Sequence, residues 1–146
     1  MTTYVGVKLI SAEPMSRGDY NKYRGWTIPE DENPADEGYH VKYSDGYESW
    51  SPKSAFEEAY SEVGANPLKD TTILMCSKDY KERFLAEYYQ LTTRFRGLMA
   101  MLDKWDKGEL NFIPVCPRSL YNLQLQAMSD YIAILEARAA IEKIDL

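Results

Sequence analysis

Arg83, Glu87, Arg94 and Arg96, followed by Gln124 and Arg138, are polar side chains set inside two long runs of helical apolar patterning. With the tyrosines around them, they have the chemistry to hold an anion that carries a flat ring. A guanidinium offers forked donors to phosphate oxygens, and a tyrosine ring stacks on a base. The bland alternative is a solvated helix face. Arg83 and Glu87 stand at i, i+4, where a surface ion pair is worth about a few tenths of a kcal/mol. Pattern alone leaves both readings open.

Catalytic constellations are not visible. His40, the one histidine, lies in an alternating strand beside an acidic segment and is expected to face solvent, with no second histidine to share a metal. There is no nucleophile elbow, no Walker loop and no dinucleotide-binding glycine pattern. The adjacent acids Glu57 and Glu58 fall on a helix face and are expected to be solvated. The expectation is a binding protein without a cofactor, not an enzyme.

The elements that must position these residues are long helices. Phe84, Tyr88, Leu91, Phe95, Leu98, Leu102 and Trp105 are spaced 4, 3, 4, 3, 4, 3, a heptad seam over residues 79–105. Asp79 is placed to cap that helix, with Glu82 as the second half of a capping box, and Asp106-Lys107-Gly108 ends it. Pro117 opens a second helix that runs to about Lys143 and carries two apolar stripes. Tyr121, Leu125, Met128, Ile132, Leu135 and Ala139 form one; Leu120, Leu123, Ala127, Tyr131, Ile134 and Ile141 form the other. One stripe packs on the first helix. The second has nothing left in its own hairpin to cover it, and leaving it in water forfeits about 25 cal/mol for each Å². A homo-oligomer is therefore expected.

The N-terminal half reads differently. Residues 3–10 alternate as a strand, and 29–38 are acidic, proline-bearing and expected as an exposed loop. Tyr39, Val41 and Tyr43 alternate with His40 and Lys42, Asp45-Gly46 supplies a turn, and Tyr47 and Trp50 lie in the returning strand: a β-hairpin. Ser51-Pro52 starts a helix that runs to Gly64, and residues 64–70 read as a hinge. The chain is thus expected to be α+β: a small module over 1–66 and a helical hairpin over 67–146.

Charge and cysteines narrow the partners. Residues 1–66 carry 6 basic and 12 acidic side chains, a net of −6, whereas 67–146 carry 11 of each. Such a chain is not built for DNA or RNA, which needs many Lys and Arg on one face. No apolar run approaches the ~20 residues that cross a bilayer, so no membrane partner is expected. Cys76 and Cys116 are too few and too far apart for a zinc motif or disulfide framework, and are expected as ordinary buried or half-buried thiols in a reducing cytosol.

The stretch YKERFLAEYYQLTTRFRGLMAMLDK, followed by LYNLQLQAMSDYIAILEARAAI, resembles the helical hairpin of phage anti-CBASS sponges, shared with one class of anti-Thoeris sponge. Tyr80, Arg83, Glu87 and Leu91 on the first helix, then Gln124, Met128, Tyr131, Leu135 and Arg138 on the second, carry the resemblance over about residues 78–143. It implies a protein that sequesters cyclic oligonucleotide or cyclic ADP-ribose signals without cleaving them, in the cytoplasm of the infected bacterial host. It also implies a hexamer whose pockets lie between hairpins. There Tyr80 would stack on a purine, Arg83, Arg94, Arg96 and Arg138 would meet phosphates, and Glu87, Gln124, Met128 and Tyr131 would complete the lining. The chain departs from the family pattern in having Arg94 and Arg96 where a lysine is common. RGDYNKYRGW and DGYESWSPKSAFEEAY look somewhat like a second anti-Thoeris sponge class, which implies a second site at Arg17, Trp26 and Trp50. The competing expectation is an oligomeric interaction module that presents its acidic domain to a host protein.

Overall fold

A computed structural model describes residues 1–4 and 6–146. The fold is α+β, with two compact units, Met1–Glu62 and Val63–Leu146.

In the first unit, β1 (Ser11–Pro14), β2 (Gly38–Lys42) and β3 (Glu48–Pro52) form an antiparallel sheet in the order β1-β2-β3. The strand expected over 3–10 is not found there; β1 begins at Ser11, and Val5 lies outside the described residues. The β1–β2 ladder runs from Pro14↔Tyr39 to Ser11↔Lys42. Immediately beyond Lys42 the chain turns, with Gly46 at φ +86°. Residues before Ser11 would pass that turn, so β2 has no ladder left to offer them.

Helix α1 (Arg17–Arg24) forms in a short stretch that carries no helical periodicity in the sequence. Ser16 Oγ caps it by accepting from the Asp19 N–H at 3.1 Å, and Gly25 ends it at φ +69°. The acidic segment expected as a free loop is clamped to this helix. Arg17 donates to both Glu32 oxygens at 2.7 and 2.5 Å, Asn21 adds a third bond at 3.1 Å, and the Gly18 N–H donates to the Pro34 carbonyl at 2.9 Å. A Cβ at Gly18 would collide with Pro34, so the approach requires glycine.

Strand pairing sets Glu13, His40 and Trp50 side by side on the face that meets α1. His40 is therefore not the solvent-facing residue that alternation suggested. Its side chain is 11% exposed, its ring nitrogens lie 3.2 Å from Glu13 and 3.0 Å from Glu48, and the Tyr20 and Tyr23 rings pack on it. Buried Val41 points to the other face, where Tyr39 stacks on Phe56 of α2 (Lys53–Ala59) with ring centroids 4.1 Å apart. α2 stops at Ala59, short of Gly64, and Pro52 rather than Ser51 stands at its cap; Ser51 belongs to β3. A helix with no side-chain cap and no buried residue has little to prolong it.

The second unit holds three helices: α3 (Pro67–Met75), α4 (Tyr80–Asp106) and α5 (Arg118–Glu142). The expected hinge at 64–70 is instead the start of α3. Asn66 Oδ1 accepts from the N–H groups of Leu68 and Lys69 at 3.1 and 3.3 Å, and Pro67 occupies the first helical position. Asp79 caps α4 through the Lys81 N–H at 2.9 Å, but its own N–H goes to Ser77 Oγ at 3.0 Å, which replaces the expected Glu82 half of the box. Lys143, at φ +55°, lets the Ile144 N–H reach the Ala139 carbonyl at 2.9 Å, and Ile144 joins Phe84, Leu135 and Ala139 in the core.

The two stripes of α5 separate as their spacing predicts. Leu135 and Ala139 are buried and Tyr121, Leu125, Met128 and Ile132 half-buried, whereas Leu120, Leu123, Ala127, Tyr131, Ile134 and Ile141 are exposed. Cys76 and Cys116 are both exposed, contrary to the expectation of buried or half-buried thiols, because each falls in a connection outside the packed faces. No helix among the described residues is long and apolar enough to cross a membrane.

Candidate functional site: two levels of a helical hairpin

Three contacts fix how α4 and α5 run past one another. Tyr80 meets Arg138, the Tyr88 hydroxyl donates to Glu136 at 3.0 Å, and the Trp105 and Tyr121 rings meet edge-on at 5.9 Å. The helices are antiparallel, and the residues singled out in the sequence fall at two levels. Tyr80, Arg83, Glu87 and Arg138 lie toward one end; Arg94, Arg96, Gln124, Met128 and Tyr131 lie toward the middle. At 1.5 Å per residue, the levels are separated by about 18 Å.

At the end level, Tyr80, Arg138 and Glu142 form one cluster. Arg138 donates from Nη2 to the Tyr80 oxygen and from Nε to Glu142 at 3.1 Å, which brings the Glu142 carboxylate beside the Tyr80 hydroxyl. The Glu142 carboxylate raises the Tyr80 pKa, and the Tyr80 hydroxyl in turn holds Glu142 below the usual carboxylate range. The guanidinium lies 5.0 Å from the centre of the Phe84 ring, and its side chain is 44% exposed, so a positive edge faces water from a braced position. Arg83 lies on the neighbouring turn. It does not pair with Glu87: Nη1 donates to the Ser77 carbonyl at 2.8 Å and holds the α3–α4 connection.

At the middle level, Arg94 and Gln124 are exposed, Met128 is half-buried and Tyr131 is 41% exposed on the uncovered edge of α5. Arg96 turns toward α3. There a groove of about 370 Å³ is lined by Asp70, Thr71, Leu74, Tyr89, Thr93 and Arg96. Its walls are braced: Gln90 Nε2 donates to Thr71 Oγ1 at 2.9 Å, and Asp70 accepts from the Gly64 N–H at 2.9 Å. Asp70, Tyr89 and Thr93 were not picked out from the sequence. The signal that could have found them is Asn66-Pro67, a helix start read as a hinge.

In the first unit, Arg17 and Trp50 come together, with the guanidinium 5.1 Å from the indole centre. The same guanidinium is forked onto Glu32, whose carboxyl it holds below the usual range. To take a phosphate, Arg17 would have to release Glu32. Trp26 stands apart from this pair, 51% exposed, edge-on to Tyr20 and with Arg24 at 4.9 Å. Among the described residues no group of His, Cys, Asp and Glu is arranged to hold a metal.

Residues 78–141 match the family model described as Sequestin. The match takes in α4 and nearly all of α5, and leaves α3 and the first unit outside it. No curated protein and no solved structure matches the chain.

Proposed function

We propose that this protein is a phage sponge: it binds cyclic nucleotide immune signals, cyclic di- or trinucleotides or cyclic ADP-ribose isomers, and holds them uncleaved in the cytoplasm of the infected bacterial host. The observation that carries this reading is the Sequestin match over the two helices that bear Tyr80 and Arg138. The family's name denotes sequestering, and the braced guanidinium beside two aromatic rings has the chemistry for a phosphate and a base.

The uncovered face of α5 supports a homo-oligomer, with a hexamer favoured by the hairpin resemblance. Leu123 is 68% and Ile141 81% exposed, and a second copy is the partner whose own stripe has the same need for cover. Copies packed there would bring further Arg and Tyr side chains near each hairpin. A sponge must hold its ligand at about nanomolar strength, on the order of −12 kcal/mol. Stacking plus charge-assisted hydrogen bonds in a shared pocket supplies energy of that order.

The test is native mass spectrometry and thermal shift of the purified chain against cyclic dinucleotides, cyclic trinucleotides and cyclic ADP-ribose isomers. A ligand at a thousand times its Kd adds about 4 kcal/mol of stability. Recovery of that ligand intact after heat denaturation separates holding from hydrolysis. A flat response across the panel would favour an interaction module, a reading that the 12 acidic against 6 basic side chains of residues 1–66 would then carry.

A further inference from the structure

The groove between α3 and α4 has a chemistry that the hairpin alone does not supply. Tyr89, Thr93 and Arg96 occupy one face of α4 at i, i+4 and i+7, so the Cα atoms of Tyr89 and Arg96 are about 10 Å apart along the helix. Long helical side chains lean toward the N-terminus, and Arg96 lies near enough to Tyr88, about two turns upstream, to act on it electrostatically. Among the described residues Arg96 has no hydrogen-bond or ion-pair partner, in contrast to Arg83, which is spent on Ser77, and Arg138, which is spent in part on Glu142. Tyr89 is 37% exposed and lines the groove. Opposite it, α3 contributes Leu74 and Pro67 as apolar floor and the half-buried Asp70 as an acceptor.

We propose that this groove is a nucleotide subsite within a single chain, in which Arg96 takes a phosphate, Tyr89 stacks on the base and Asp70 accepts from the base's N–H edge. The inference rests on the sequestering reading and places part of its ligand against α3 rather than only between hairpins. The arrangement selects a ligand that joins one anionic group to one planar, N–H-bearing ring through a short spacer. Inorganic phosphate alone meets only Arg96, and an uncharged nucleoside meets only Tyr89 and Asp70. A groove of about 370 Å³ has the size of small-ligand sites and is too small to enclose an entire cyclic dinucleotide, so half of such a ligand would project from it.

The test uses the full chain and its Arg96→Gln, Tyr89→Leu and Asp70→Asn variants, with cyclic di-AMP, cyclic di-GMP and ADP-ribose as probes in calorimetry. Unchanged thermal midpoints without ligand would show that the variants fold. Loss of about tenfold or more in affinity for Arg96→Gln and for Tyr89→Leu, with phosphate alone binding at least a hundredfold more weakly than the nucleotide, is the result expected, on the order of one charge-assisted bond or one stacked ring each. If the wild type binds a probe and these variants bind it equally well, the groove is not the site, although sequestering stands. Should no probe bind the wild type, the groove assignment falls together with the reading beneath it. Should the ligand-free midpoint of Arg96→Gln drop, Arg96→Met, which keeps the apolar stem without the charge, takes its place, and an affinity equal to the wild type's there overturns the phosphate contact.

Discussion

Tyr80 in the first turn of α4 and Arg138 near the end of α5 are hydrogen-bonded across 58 residues of sequence, and Glu142 closes the group from one turn beyond. The bond ties the two ends of the hairpin together and orients the guanidinium against Phe84. Arg138→Gln removes the charge while leaving an amide able to meet Tyr80. Under the sequestering reading its expected effect is at least about a tenfold loss of ligand affinity. Calorimetry against the same ligand, with circular dichroism to confirm intact helices, checks it.

The two faces of α5 have opposite mutational signatures. Leu135 is fully buried against α4, and Leu135→Ala is expected to cost about 2–5 kcal/mol in chemical denaturation. Ile134, its neighbour, is 57% exposed. Ile134→Asp is expected to leave the monomer's stability within about 0.5 kcal/mol but to lower the native mass, because a charge would enter the interface between copies. A variant that kept the wild-type mass would remove α5 from that interface.

Stability of the first unit should fall in acid. The Arg17 fork, then Asn21, lowers the pKa of Glu32; Tyr23, then His40, lowers that of Glu48; Lys53 lowers that of Glu37. In the unfolded chain these carboxyls return to about 4.3. The unfolded state therefore takes up protons first as pH falls. The contribution of these pairs is present above that value and is lost as pH drops through the lower folded-state pKa values. Thermal melts from neutral to acid pH, compared with those of Glu32→Gln, should show a shallower acid slope in the variant.

Gly38 tests the packing of the small sheet. A Cβ there would run into the Trp50 ring and the Ser51 carbonyl. Gly38→Ala is expected to destabilise the unit by about 1–3 kcal/mol, whereas Gly97→Ala, which meets open space, should not destabilise α4. Near-ultraviolet dichroism of Trp50 reads the first effect directly.

The long helices were legible because seven apolar residues at heptad spacing outweigh any local ambiguity, and because Asp79, Gly108 and Pro117 mark their ends. The exposed stripe of α5 was legible for the same reason. Helices α1 and α3 were hidden in short windows of turn-forming residues. Their caps, Ser16 and Asn66, are the same residue types that open turns, and only contacts distant in sequence decide between the two. His40 was misplaced because alternation reports which face a side chain takes. It does not report that α1 covers that face. Tyr80 and Arg138 were nominated together by resemblance, and their bond follows from the antiparallel register. The α3–α4 groove lay beyond the sequence because half of its wall is a helix that the sequence did not announce.

Cys76 closes α3 and Cys116 precedes α5, so the whole of α4, 27 residues or about 40 Å, stands between two exposed thiols. A disulfide requires Cα atoms within about 7 Å. Oxidation therefore cannot staple this chain to itself through those sulfurs, and any covalent dimer that forms in mild oxidant must join separate molecules. Whether the products link Cys76 to Cys76, Cys116 to Cys116, or one to the other distinguishes parallel from antiparallel neighbours. The chain thus carries, without an engineered residue, its own reporter of how its copies lie side by side.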